Sequence, residues 1–91
     1  MSSESEVWKA VMQLLEEKIE REVTFQLWFS DLSLQKLIDD RAYLQTTNLY
    51  KKKIIESRFF DQLNEAFEEV MGFPIKITII SIESRSFEEQ F

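Results

Sequence analysis

The sequence of 91 residues predicts one small α+β domain, in which three helices pack against a three-stranded sheet. Three observations support this fold class. Apolar residues recur every three or four positions in three segments, as they do along one face of a helix. Other segments alternate apolar and polar residues, as strands do. The only glycine and the only proline stand close together, after the longest of the helical segments.

Two helices are predicted in the N-terminal third of the chain. Residues 1–6 are polar and are predicted to be a disordered N-terminus, with Ser3 or Ser5 placed to cap the helix that follows. That helix covers residues 7–19. A shorter helix follows at residues 24–29, and its aromatic residues share one face: Phe25, Trp28 and Phe29.

A β-hairpin is predicted next. The segments 32–38 and 42–47 contain strand-forming residues on either side of a polar turn, Asp39-Asp40-Arg41. The type of turn stays open, because the sequence has neither the Asn-Gly nor the Asp-Gly pair that would define it.

The longest helix is predicted at residues 49–71, with Asn48 as its N-cap. Gly72 follows the last periodic residue, where a left-handed residue is favoured, and Pro74 prevents the helix from continuing. Residues 75–82 then form the third strand. The predicted order is therefore helix, helix, strand, strand, helix, strand.

The composition argues against an enzyme. Without histidine or cysteine the chain can build neither the common zinc sites nor a Ser-His-Asp or Cys-His nucleophile. One glycine cannot supply a phosphate-binding loop, which needs several. The densest carboxylates, around Glu16-Glu17, are expected to form a solvated helix face. We therefore expect no catalytic residue, no cofactor and no metal.

Charge and hydropathy indicate which partners and which cell compartment to expect for the protein. The 11 basic and 17 acidic residues give a net charge of −6, which disfavours strong binding of nucleic acid by the domain as a whole. No apolar run approaches about 18 residues, the length of a membrane-spanning helix. The chain also begins without an apolar stretch typical of a signal peptide. With no cysteine present, we expect a cytoplasmic protein.

The start of the first helix offers a candidate surface for self-association. Val7, Trp8 and Val11 lie near the polar terminus, where burial is hard to complete, and could form an exposed apolar patch. The alternative is that Trp8 belongs to the core. The sequence leaves both possibilities open.

An ordered set of short segments resembles one known family. Val7-Trp8 and the aromatic run at residues 25–29 resemble the opening of the family's sequence. Residues 47–50 resemble a segment of Pro-Asn, a variable residue and an aromatic, and residues 56–59 resemble Glu-Ser-Arg-Tyr. The family is the N-terminal domain of the bacterial replication initiator DnaA. The resemblance covers residues 7–83 and leaves 84–91 as a tail or the start of a linker.

This resemblance implies a KH-like fold and a role as a protein-interaction domain in replication initiation. It implies self-association through Trp8, with a possible homodimer. It implies binding of the replicative helicase or of initiation regulators through Thr24 and Tyr50, and a weak contact with single-stranded DNA at Asn48. Two positions depart from the family: Thr24, where some members are acidic, and Thr47, which replaces proline. A chain of this length cannot hold the ATPase and DNA-reading domains of an initiator, so it is either an excised domain or a free-standing homologue.

A KH-like module that binds single-stranded nucleic acid weakly is the alternative function. Its residues would be the one basic cluster, beside the aromatic Tyr50: Lys51, Lys52 and Lys53. Successive helical positions point in different directions, however, and one glycine cannot build the Gly-X-X-Gly loop of KH domains. A cluster that serves solubility explains these lysines equally well.

Overall fold

The computed structural model describes residues 3–82 and confirms the predicted order of elements. The predicted tail at residues 84–91 lies outside the described residues. Within the described part of the chain, no helix is long and apolar enough to cross a membrane. The elements, in chain order, are helix α1 (Glu4–Lys18), helix α2 (Glu22–Phe29), strand β1 (Ser33–Ile38), strand β2 (Arg41–Thr46), helix α3 (Leu49–Ile54), a π-helical turn (Ile55–Phe59), helix α4 (Phe60–Met71) and strand β3 (Lys76–Ser81).

Helix α1 begins earlier than the sequence predicts. Residues 4–6 form its first turn and are not a disordered terminus, because the Ser3 hydroxyl accepts a hydrogen bond from the Glu6 amide at 3.1 Å. Acidic side chains in this turn also favour the helix through its dipole. Glu4 has a second role, since its Oε1 accepts the Leu37 amide of β1 at 3.2 Å. The first two residues of the chain lie outside the described part.

The hairpin is confirmed and contains one irregularity. Ile38 pairs with Arg41, so the loop has two residues, and Asp39 adopts a left-handed φ of 52°. Aspartate is one of the few non-glycine residues found repeatedly in that region. The register shifts between Leu34 and Lys36, which is a β-bulge in β1.

Strand β2 is the centre of the sheet. It pairs with β1 in antiparallel fashion and with β3 in parallel fashion, from Arg41 opposite Lys76 to Thr46 opposite Ser81. Alternate side chains of β2 (Ala42, Leu44 and Thr46) are buried on the side where the helices pack. The intervening side chains lie on the opposite face.

The helical layer forms the core with that buried face. Helix α1 packs along α4, where Leu15, Leu63 and Phe67 are fully buried. At the surface of this pair, Lys18 Nζ lies 3.4 Å from Glu65 and 3.2 Å from Glu69. Exposed ion pairs of this kind contribute little to stability, so apolar burial holds the two helices together.

The long helix predicted at residues 49–71 is interrupted by the π-helical turn. At its end Phe59 has φ −123° and ψ 5°, outside the helical region. Phe59 and Phe60, at the junction of the turn and α4, both pack against the core. The predicted end of the helix is confirmed, because Gly72 has a φ of +85° and its amide donates to the Glu68 carbonyl at 2.7 Å.

Candidate protein-interaction surface

Helix α2 divides its apolar side chains between the core and solvent. Phe25 and Phe29 face the core and stack with ring centroids 5.7 Å apart. Val23 and Leu27 lie one helical turn apart on the other side and are 79% and 53% exposed. A short helix that exposes two neighbouring aliphatic side chains presents a continuous apolar surface, unlike single scattered residues.

A shallow, open depression runs along this side of α2. Its volume is about 490 Å³, open to solvent, and it is lined by Glu22, Val23, Gln26 and Leu27. Two aliphatic side chains form its apolar part, and a carboxylate and an amide supply its polar groups. An apolar centre beside polar groups is typical of a site that receives a side chain from a protein partner.

Tyr50 extends the apolar surface from α2 to α3. Its ring centroid lies 5.8 Å from that of Trp28, and the two ring planes are inclined by 54°. Trp28 is half-buried, whereas Tyr50 is 66% exposed. Leu49, beside Tyr50, is also exposed. We call these residues together the α2/α3 surface: Val23, Leu27, Trp28, Leu49 and Tyr50.

Asp31 ties the loop between β2 and α3 to the end of α2. Its carboxylate accepts hydrogen bonds from the hydroxyls of Thr46 and Thr47, and it forms an ion pair with Lys51 Nζ at 2.8 Å. These three donors come from the end of β2, the loop and the first turn of α3. Asp31 therefore fixes α3, and with it Tyr50, relative to α2.

The electrostatics of Asp31 follow from these contacts. Partial burial by itself raises the pKa of the carboxyl, but the hydrogen bonds from Lys51 and Thr47 outweigh it and hold the pKa below its usual value. The carboxylate is therefore ionised at neutral pH, and its ion pair with Lys51 is intact.

Asn48 and the lysine cluster are largely engaged inside the domain. Asn48 caps α3 as predicted, with its Oδ1 accepting the Lys51 amide at 2.8 Å. Lys52 lies 3.4 Å from Glu56, and only Lys53 of the three lysines is exposed. Since Lys51 pairs with Asp31, the cluster is not a continuous cationic patch.

The prediction of an exposed patch at Val7, Trp8 and Val11 is wrong for the two valines. Val7 is 6% exposed and Val11 is fully buried, because the stripe that they form with Leu15 faces the core. Trp8, about 100° further around the helix, is half-buried at the margin of the core. Its ring centroid lies 6.0 Å from that of Phe67 on α4.

Of the residues predicted to bind a partner, Tyr50 lies on the α2/α3 surface, where it contacts Trp28. Thr24 is half-buried and lies one helical turn before Trp28, and Asn48 caps α3. Val23 and Leu27 are exposed residues that the sequence patterns did not single out. A signal was available, since both are apolar and both fall off the face defined by Phe25 and Phe29.

Comparison with known proteins gives a consistent result. A family model described as the DnaA N-terminal domain matches residues 5–69, which is most of the chain and includes the α2/α3 surface. Chromosomal replication initiator proteins DnaA of Thermodesulfovibrio yellowstonii, Herpetosiphon aurantiacus and Roseiflexus castenholzii are 26%, 27% and 26% identical to it. The alignments cover 88%, 82% and 90% of this chain, but only 18%, 16% and 17% of those proteins. The chain thus spans less than a fifth of the length of these relatives.

Proposed function

The chain belongs to the DnaA N-terminal domain family, and from this we propose that it is a cytoplasmic protein-interaction domain acting in replication initiation. In this proposal it binds a protein partner through the α2/α3 surface and has no catalytic role. The observation that carries the proposal is the exposure of Val23 and Leu27 on α2 and of Tyr50 on α3, where the contact of Trp28 with Tyr50 joins the two helices. In the proposal these three side chains act as one apolar strip, which costs solubility unless a partner covers it.

The composition of the strip supports a protein partner. Interfaces between proteins are enriched in aromatic side chains at their centre and have a polar rim. Tyr50 and Trp28 supply the aromatic centre, and Glu22 and Gln26 supply polar groups beside it. Asp31 and the Asn48 cap hold α3 in place, so little order has to be gained on binding.

The partner class follows from the family. We propose the replicative helicase or a regulator of initiation, because the relatives are chromosomal replication initiator proteins. The neutral Thr24 beside the strip gives no charge to the contact, so apolar burial is its main source of affinity. Self-association is a second part of the proposal, with Trp8 as its remaining candidate residue, since Val7 and Val11 are buried.

The test uses the full chain and the replicative helicase of the same bacterium. Tyr50→Ala should weaken binding about tenfold or more, as truncation of a central aromatic does at protein interfaces. Calorimetric titration measures the change.

Phe73→Ala is the matched control, because Phe73 is also an exposed aromatic but follows Gly72 at the end of α4. This variant should bind as the unchanged protein does. If both variants bind alike, or if the unchanged protein does not bind, the assignment of the α2/α3 surface to the helicase fails.

A further inference from the structure

The face of the sheet opposite the helices carries mostly polar and cationic side chains. Ala42, Leu44 and Thr46 of the central strand are buried beneath the helices, so the alternate residues point the other way. We call this the open sheet face. Register places the following side chains on it: Ser33, Lys36, Ile38, Arg41, Tyr43, Gln45, Lys76, Thr78 and Ile80.

Cations are segregated on the open sheet face. Its strands carry Lys36, Arg41 and Lys76 and no carboxylate, although the chain as a whole has a net charge of −6. The carboxylates of Asp39 and Asp40 belong to the hairpin turn at one end of the face. Within residues 3–82, no ion pair within 4 Å joins these three to an acidic side chain. In contrast, Lys18, Lys51 and Lys52 are all paired with carboxylates.

The arrangement of these cations is unfavourable in isolation. Arg41 and Lys76 are direct partners across the parallel strands β2 and β3. Like charges placed directly opposite each other destabilise a sheet. An anionic group bound between them would reduce that repulsion, so the pair favours a ligand that carries carboxylates.

Apolar side chains lie beside the cations. Tyr43 is at the centre of the face, flanked by Lys36 on β1 and Thr78 on β3. A groove of about 360 Å³ runs beside it and is lined by Ile38, Asp39, Asp40, Arg41 and Tyr43. The two turn aspartates close the groove at the hairpin end. The side chains of Ile38 and Tyr43 form the apolar wall of this groove, against which an aromatic ring can pack.

We propose that the open sheet face binds an acidic peptide segment that also carries an aromatic side chain, supplied by a protein partner. The carboxylates would pair with Arg41, Lys76 and Lys36, and the aromatic ring would enter the groove beside Tyr43. A short peptide suits the site better than a nucleic acid, because three cations on a domain of net charge −6 attract a few carboxylates but not a long polyanion. This site is separate from the α2/α3 surface and does not depend on it.

The probe is a fluorescein-labelled peptide with the sequence Glu-Glu-Phe-Glu-Glu-Phe, titrated with the full chain while fluorescence polarisation is recorded. The double variant Arg41→Gln/Lys76→Gln should bind it about tenfold more weakly, the factor expected for the loss of two exposed ion pairs. The peptide in which glutamine replaces every glutamate should not bind.

Lys9→Gln/Lys53→Gln is the matched control, because it removes the same charge from two exposed lysines on helices α1 and α3. It should bind as the unchanged protein does, and circular dichroism should report the same fold for all variants. If both double variants lost affinity for the peptide equally, the loss would come from the change in net charge alone, and the proposal would be overturned. A lack of binding at low salt would also overturn it. Oligothymidylate that binds this face more tightly than the peptide would overturn the choice of a peptide.

Discussion

The two tryptophans of this domain, Trp8 on α1 and Trp28 on α2, make aromatic contacts in different surroundings. Each is half-buried and each contacts one other aromatic ring about 6 Å away. The partner of Trp8 is Phe67, which is fully buried between α1 and α4. The partner of Trp28 is Tyr50, which is 66% exposed.

The two contacts therefore differ in role: Trp8 packs on a buried ring, whereas Trp28 supports an exposed one. The contact of Trp8 with Phe67 continues inward to other buried side chains, so it contributes to the free energy of unfolding. Trp28 also packs against the core, but its aromatic partner Tyr50 lies mostly in solvent. We infer that stability depends mainly on the α1/α4 side and partner binding mainly on the α2/α3 side.

The largest expected effect on stability comes from Trp8→Ala. Removal of a fully buried large aromatic costs about 3–5 kcal/mol, and half-burial reduces the expected loss to about 2–3 kcal/mol. Urea denaturation followed by circular dichroism measures it. Trp8→Phe should recover most of the loss, because a ring still packs against Phe67.

The same pair of variants tests self-association. If Trp8 also contacts a second copy, sedimentation at a temperature where both variants are folded should show weaker association for alanine than for the unchanged protein. An unfolding free energy equal to that of the unchanged protein would show that the contact with Phe67 contributes nothing to the core.

The fold could be predicted because its signals are local. Helical spacing, strand alternation and the positions of Asn48 and Gly72 each act over a few residues, and together they predict the correct order of elements. The π-helical turn could not be predicted in this way. The segment Ile55–Phe59 contains neither glycine nor proline, so it carries no local signal for an interruption of the helix.

The site was only partly predictable, for two physical reasons. In α1 two apolar stripes lie side by side, one through Val7 and Val11 and one through Trp8 and Met12, and spacing alone does not show which faces the core. The contacts of Asp31 with Thr46 and Lys51 join residues 15 and 20 positions apart. Sequence patterns within one element carry no information about such contacts.

An intermediate loss of stability is expected for Asp31→Asn, and this variant should affect both stability and partner binding. The variant loses the ion pair with Lys51 and weakens two hydrogen bonds, at a cost of about 1–2 kcal/mol after allowance for partial exposure. It should also weaken partner binding, because α3 and Tyr50 are less firmly held.

The pH dependence of the unfolding free energy shows whether the loss of stability in Asp31→Asn comes from the charge of the carboxylate. The folded-state pKa of Asp31 lies below its ordinary value of 3.8, so the unfolded state binds more protons as the pH falls past that value. The contribution of the carboxylate is complete above the unfolded pKa and is lost as the pH falls through the folded pKa. The stability difference between the unchanged protein and the Asp31→Asn variant should therefore be constant near neutral pH and shrink in acid. A difference that persists unchanged in acid would assign the loss to something other than the charge.

The smallest expected effect on stability, with a large effect on binding, comes from Leu27→Ser. Leu27 is 53% exposed and lies outside the buried stripe of α2, so its replacement should change the unfolding free energy by no more than about 0.5 kcal/mol. Binding of the replicative helicase should weaken, because the depression along α2 loses one of its two aliphatic side chains. Ile82→Ser provides the comparison, since Ile82 is another exposed aliphatic side chain but follows β3, outside both proposed binding sites. A large loss of stability in Leu27→Ser with unchanged binding would reverse the roles assigned to the two sides of the molecule.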